Sequence, residues 1–136
     1  MDYQTAVQTE FIPRCTAGLN QIASALISVG LPAAGVVVSM PDTTDLRFQI
    51  VAKKGNKTLT AYIELTDGTH LGLEPGKALF TFWVDGNGTE ITSGYVPGSI
   101  QSYMDEAGVA LLLAKLSDLE TFIPAATMKI RAFLGL

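Results

Sequence analysis

The sequence predicts an α+β protein with an N-terminal helical region, an antiparallel meander sheet of five to six strands, and a C-terminal helical region. Two observations carry this prediction. Apolar residues recur with a helical period near both ends of the chain and alternate with polar residues in its middle third. The strand-like runs are joined by segments too short for crossover helices, so neighbouring strands should be antiparallel.

The length and composition fit one domain around one core. The chain has 136 residues, which we divide into 1–30 (helical), 35–96 (antiparallel sheet) and 99–134 (helical). Charged residues make up 16% of the chain and apolar residues 48%, whereas an ordinary domain has about 25% charged residues. This composition excludes an intrinsically disordered chain, because enough apolar surface is available to offset the entropy of ordering.

The N-terminal region reads as a helix in two pieces. Asp2 can cap a short helix that runs through Ile12, and Pro13 suits the first turn of a second helix. Gly30 is placed for a left-handed C-terminal cap, and Pro32 prevents the helix from resuming. The second helix has one broad apolar face, which comprises Cys15, Leu19, Ile22, Leu26 and Val29, widened by Ala23 and Ile27.

The middle third has the pattern of a sheet with short turns. Asp67-Gly68 and the Asp-Gly-Asn-Gly segment at 85–88 are typical of hairpin connections. Strict alternation of apolar and polar residues predicts half-buried strands. The expected strands are 35–40, 46–53, 58–65, 69–73, 79–84 and 89–96.

The last forty residues return to a helical pattern. Pro97-Gly98 breaks the chain, and Ser99 or Ser102 can cap the helix that follows. Ser117 and Glu120 have the spacing of a capping box that would start a new turn. Pro124 suits the first turn of a final helix.

The net charge and the N-terminal sequence limit the partners and the location that we expect for the chain. The formal net charge is −4 and the pI about 4.8, so the overall field repels nucleic acid and anionic membranes. The N-terminus has no basic segment leading into an apolar run, and we expect synthesis in the cytoplasm followed by incorporation into a larger assembly. The uncharged run at 15–41 is interrupted by polar residues, glycine and proline, so no membrane insertion is expected.

No catalytic, metal or cofactor site is expected. His70 is the only histidine, and no recognisable nucleophile elbow accompanies it, so an exposed turn histidine is the favoured interpretation. Cys15 falls on the apolar stripe and should be buried and inert. The loop 85–90 resembles a calcium site only in its alternating oxygens, because Glu90 stands where an EF-hand loop needs glycine.

Two surfaces are candidates for binding. Arg47, Tyr62 and Trp83 share the outer face of the predicted sheet and are residue types enriched at binding hot spots. The alternative is that a helical region covers this face, which would make them part of a second core. The apolar run 109–113 would expose more than one helix face and is a candidate oligomer interface, through Val109, Leu111, Leu112 and Leu113.

The function that these features favour is a non-catalytic module for protein–protein interaction. We expect a self-associating assembly or accessory protein, of the kind found in phage-like particles or secretion systems, whose protein partners include copies of the chain itself. One alternative is a small-molecule-binding protein that holds its ligand near Arg47, Tyr62 and Trp83. Another is an acidic inhibitor or immunity protein, whose binding to a basic partner would weaken steeply in salt.

Overall fold

The N-terminal helical region is one continuous helix. The computed structural model describes residues 1–42, 46–67, 76–92, 95 and 97–136. It contains α1 (Tyr3–Ala6), a π-helical turn (Val7–Phe11) and α2 (Ile12–Ser28) without a break. The capping role of Asp2 is confirmed, since its carboxylate accepts a hydrogen bond of 2.7 Å from the N–H of Thr5. Pro13 lies in the first turn of α2, as predicted. The predicted separation into two helices is wrong, because α2 follows the π-helical turn without a gap.

Helix α2 buries most of its predicted stripe. The buried residues include Cys15, Leu19, Ile22 and Leu26, and Gly18 joins them. Ile27 and Val29 are exposed at the end of the helix, contrary to prediction. Gly30 has a φ of 112° as expected of a residue that ends a helix, and a short 3₁₀ turn (Ala33–Gly35) leads to the sheet.

Among the described residues the sheet has six strands, and every pair of neighbouring strands is antiparallel. The strands β1 to β4 form a meander, and both β5 and β6 pair with β4. This confirms the predicted α+β architecture with five to six strands. The expected strand at 69–73 lies outside the described residues. The strands are β1 (Val36–Asp42), β2 (Arg47–Lys54), β3 (Lys57–Asp67), β4 (Lys77–Gly86), β5 (Thr89–Glu90) and β6 (Gly98–Gln101).

The C-terminal region differs from prediction at its start and in its middle. Ser99 lies in β6, opposite Leu79 of β4, so the helical region does not begin at residue 99. A single helix α3 (Glu106–Leu134) follows, with Pro124 inside it. Proline in a helix interior costs about 3 kcal/mol, and the buried face that α3 lays against the sheet offsets this. Because α3 continues through both positions, the new turn predicted at Ser117 and the final helix predicted to begin at Pro124 are both wrong.

Both helices pack on the same face of the sheet and enclose one core. α2 contacts β1 and β2, whereas α3 contacts β3, β4 and β6. Phe11 lies at the centre, fully buried, with its ring centroid 6.1 Å from that of Phe48 and 5.4 Å from that of Phe80. In the described part of the chain, neither helix has the length and apolar character needed to cross a bilayer.

Arg14 joins the two helices. Its guanidinium donates hydrogen bonds to both carboxylate oxygens of Glu120, one of them through Nε at 3.0 Å, and to the hydroxyl of Ser117 at 3.1 Å. Glu10, one turn earlier, lies 3.3 Å from Nη1 of Arg14. Ser117 and Glu120 thus bind a neighbouring helix instead of forming the predicted capping box.

We expect the Arg14–Glu120 contact to make stability depend on pH. Hydrogen bonds from Arg14 hold the pKa of Glu120 below its usual range. A lowered folded-state pKa adds stability that is present above the ordinary glutamate pKa of about 4.3 and is lost as the pH falls through the lowered value. Because both side chains are partly exposed, 26% and 41%, Glu120→Gln should cost only about 0.5–1 kcal/mol at neutral pH.

Urea denaturation of four proteins at neutral and acidic pH measures this effect: wild type, Glu120→Gln, Arg14→Ala and the double variant. The cost of Glu120→Gln should vanish at a pH below the lowered pKa and in the Arg14→Ala background. An equal cost in both backgrounds would show that the two side chains are not coupled.

Candidate functional site

In the described part of the chain, one face of the sheet carries no helix, since α2 and α3 both pack on the other. In β2, β3 and β4, residues that face the helices are buried, and the residues between them are half-buried or exposed. Toward Asp67 the uncovered surface ends before Thr66, which is buried. We call this surface the open face; it comprises Arg47, Gln49, Val51, Lys53, Thr58, Thr60, Tyr62, Glu64, Thr81, Trp83 and Asp85.

The three predicted binding residues lie together on the open face. The guanidinium carbon of Arg47 is 3.9 Å from the ring centroid of Tyr62, close enough for a cation–π contact. Tyr62 and Trp83 stand directly opposite each other in the pairing of β3 with β4. Trp83 is 37% exposed, so the cluster presents aromatic surface outward.

Glu64 belongs to the same cluster and is absent from the predicted set. Its Oε2 lies 3.8 Å from Nη1 of Arg47, and the two residues are opposite each other in the pairing of β2 with β3. This carboxylate helps to hold the guanidinium over Tyr62. The sequence carries a signal for it, because Glu64 occupies the same alternating positions as Tyr62.

The open face is nearly neutral at its centre. Partial burial raises the pKa of Tyr62, and the nearby positive charge of Arg47 acts in the opposite direction. The phenol therefore stays protonated at neutral pH and can both donate and accept a hydrogen bond. Two basic residues, Arg47 and Lys53, balance two acidic residues, Glu64 and Asp85.

The cluster lies on a surface, not in a pocket. Three clefts occur elsewhere in the described part of the chain, and none is lined by Arg47, Tyr62 or Trp83. A cleft of about 390 Å³ lies beside Tyr3, another of about 410 Å³ beside Phe122, and a third of about 210 Å³ between α2 and β1. The open face thus suits contact with another flat surface better than enclosure of a small molecule.

The second predicted surface is divided by the fold. Val109 and Leu112 are 3% and 1% exposed because they belong to the face of α3 that packs against the rest of the chain. They offer no surface to a partner. Leu111 is 43% exposed and Leu113 is half-buried, so an oligomer interface on α3 stays a prediction for these two residues only.

The remaining candidates for chemistry can be placed in part. Cys15 is buried, and burial raises the pKa of its thiol, which makes it a poor nucleophile. Among the described residues, no three histidine, cysteine, aspartate or glutamate side chains are grouped so that they could hold a metal ion. His70 lies outside the described residues.

In the part of the chain that the structure describes, the architecture and the open face define an α+β protein with one sheet face free of helices. Comparison of the chain with protein-family models, with curated proteins and with solved structures yields no match.

Proposed function

We propose that the protein is a non-catalytic module for protein–protein interaction that binds a protein partner on its open face. The observation that carries this proposal is the cluster of Arg47, Tyr62 and Trp83 at the centre of a sheet face that neither helix covers. Arginine, tyrosine and tryptophan dominate the binding energy of protein interfaces, and they do so near the interface centre.

The shape and charge of the open face support a protein partner over the two alternatives. A small molecule is usually enclosed in a cleft, and three well-formed clefts among the described residues lie away from Arg47, Tyr62 and Trp83. An inhibitor that captures a basic partner needs an acidic surface, whereas acidic and basic residues balance on the open face. The partner that fits is a flat, weakly charged protein surface with an apolar patch for Trp83.

A structural or accessory role in a larger assembly is part of the proposal, as in phage-like particles or secretion systems, and it includes self-association. The small size of the chain and its low charge content support this role. A structural or accessory role requires no nucleophilic side chain, and the thiol of Cys15 is buried.

Replacing Trp83 with alanine should weaken partner binding by about thirtyfold or more, which corresponds to a hot-spot loss of about 2 kcal/mol. The test begins by capturing proteins from a lysate of the native host with immobilised wild-type chain and with Trp83→Ala. A partner that only the wild type retains is purified, and its affinity for both proteins is measured by calorimetry at several salt concentrations. Met128→Ala is the matched control, because Met128 is 64% exposed on α3, away from the open face.

Each outcome decides between the proposed function and an alternative. Loss of affinity in Trp83→Ala, with Met128→Ala unchanged and a shallow dependence on salt, supports the proposal. Equal binding by folded Trp83→Ala contradicts it. A steep loss of affinity in salt would favour the acidic inhibitor. Saturation of Trp83 fluorescence by a small metabolite would favour the small-molecule alternative, and this signal is specific because the chain has one tryptophan.

A further inference from the structure

Strand β1 forms an edge of the sheet, and β2 is its only pairing partner among the described residues. The connection of β2 to β3 is a two-residue turn at 55–56, with Gly55 at a φ of 61°. Such a turn makes Lys54 and Lys57 a hydrogen-bonded pair. The hydrogen bonds of Thr58 support this assignment. Its N–H donates to Oδ1 of Asn87 and its C=O accepts from the N–H of Asn87, both on the β4 side of β3.

This alternation fixes which backbone groups of β1 are unpaired. The N–H and C=O groups of Val51 and Gln49 point toward β1, where the register places Val37 and Ser39 opposite them. Val38 lies between these two paired residues and therefore directs its N–H and C=O groups away from the sheet. Val36 directs its C=O the same way, but its N–H donates to the carbonyl of Ala33 in the 3₁₀ turn. Met40 follows Ser39, the last paired residue before the irregularity in the register.

The side chains of β1 do not protect this edge from pairing with another strand. Exposed sheet edges are usually protected by charged residues, proline or a bulge, and the stretch from Val36 to Met40 contains no charge and no proline. The protecting features, Pro41 and an irregularity in the register after Ser39, affect only its far end. Val37 is 56% exposed and Met40 is 41% exposed.

Helix α2, which lies beside this edge, also leaves room for a second protein chain. A cleft of about 210 Å³ separates α2 from β1 and is lined mainly by apolar residues, among them Ile12, Val38 and Met40. The exposed Ile27 lies on the same stripe of α2 as Ile12, by its spacing of fifteen residues. The one charged residue of α2, Arg14, is bound to Glu120.

From these observations we infer that a second copy of this chain pairs with the β1 edge, antiparallel, around a two-fold axis at Val38. About that axis Val38 faces Val38 of the second copy, and Val36 faces Met40. The two Val38 residues each have an N–H and a C=O to exchange, which makes them a hydrogen-bonded pair on the axis. The C=O of Val36 can accept from the second copy, whereas its N–H stays bound to Ala33.

The dimer would have one continuous sheet with its two open faces on the same side. Stable dimers bury about 800 Å² on each partner, more than a five-residue edge provides, so contact between the two α2 helices across the cleft belongs to the inference. The inference rests on the self-association included in the proposed function and adds the surface and its geometry. Partner binding through Trp83 does not depend on it.

Sedimentation at micromolar concentrations tests the dimer. The wild type should have twice the chain mass of 14.4 kDa, and Met40→Lys should shift the equilibrium to monomer by tenfold or more, because the lysine enters an apolar contact in both copies. Met128→Lys is the matched control, since it places the same charge on an exposed methionine of α3.

A cross-link tests the geometry independently of the stability of Met40→Lys. Val38→Cys should form a disulfide between copies under mild oxidation, because opposite residues of a hydrogen-bonded pair have Cα atoms about 5.5 Å apart, within the range that a disulfide spans. Met128→Cys should stay monomeric under the same conditions, and the native Cys15 is buried.

The outcomes separate the inference from the proposed function. A wild-type monomer overturns both the edge pairing and self-association, and leaves binding through Trp83 to its own test. A wild-type oligomer with no Val38→Cys cross-link overturns the edge pairing alone, and self-association then uses another surface. A cross-linked Val38→Cys dimer supports the pairing of two β1 edges. If Met40→Lys does not fold, the cross-link tests this pairing by itself.

Discussion

Replacing Phe11 with alanine is expected to lower the free energy of unfolding by about 4 kcal/mol, the middle of the range for buried phenylalanine. The ring is fully buried and makes edge contacts with Phe48 of β2 and Phe80 of β4. Its loss leaves a cavity that the long N-terminal helix cannot fill by itself. Since small domains have a total stability of about 5–15 kcal/mol, this change removes a large part of it.

Denaturation by urea, followed through the fluorescence of the single Trp83, measures this cost. Phe133→Ala is the matched control, because the ring of Phe133 is only half-buried and lies over Gly86; it should cost less than half as much. Phe11→Leu keeps much of the volume and should remain folded if Phe11→Ala does not. Equal costs at positions 11 and 133 would contradict the central role of Phe11.

Gly108→Ala is expected to cost about 3 kcal/mol, at the upper end of the range for overpacking. A Cβ at this position would overlap the carbonyl oxygen of Ser102 and lie 2.7 Å from Cα of Tyr103. These are backbone atoms and cannot rotate aside. The affected turn connects β6 to α3, and its Tyr103 ring packs edge-on against Tyr3 with centroids 4.7 Å apart, so the strain reaches the N-terminal helix.

The same substitution at Gly18 is the control. There the new Cβ would lie 2.6 Å from Cδ1 of Ile123, the terminal methyl of a flexible side chain. Alanine also favours a helix over glycine by about 1 kcal/mol, which offsets the contact. Thermal unfolding of both variants should show a much larger loss for Gly108→Ala, and comparable losses would show that the close backbone approach at Gly108 is not maintained.

Part of the open face follows from the sequence. Alternation along β2, β3 and β4 places Arg47, Tyr62 and Trp83 on one face, and the two-residue turn at 55–56 sets residue 47 opposite residue 64. Alternation cannot show whether a helix covers that face. The face is open because α2 and α3 pack side by side on the other one, and this packing depends on how the chain crosses the sheet.

The C-terminal half shows why local patterns failed there. Ser99 and Ser102 resemble helix caps, but residues Gly98–Gln101 form β6 because β4 offers unpaired backbone groups to them. Ser117 and Glu120 have capping-box spacing, but their side chains bind Arg14, about a hundred residues away in the chain. Local spacing in the sequence cannot reveal a partner so far away in the chain. The hydrogen bonds to Arg14 replace those that a helix start would have made.

The sequence by itself determined the order of helix, antiparallel meander and helix, the residues that form the core, and the polar and aromatic character of the other sheet face. Periodicity carries this information because each element must bury one side. Only the tertiary structure decided that both helices share one side, that Val109 and Leu112 are buried while Leu111 is exposed, and that β1 is an edge of the sheet among the described residues. These properties depend on which elements become neighbours, and that is set by packing over the whole chain.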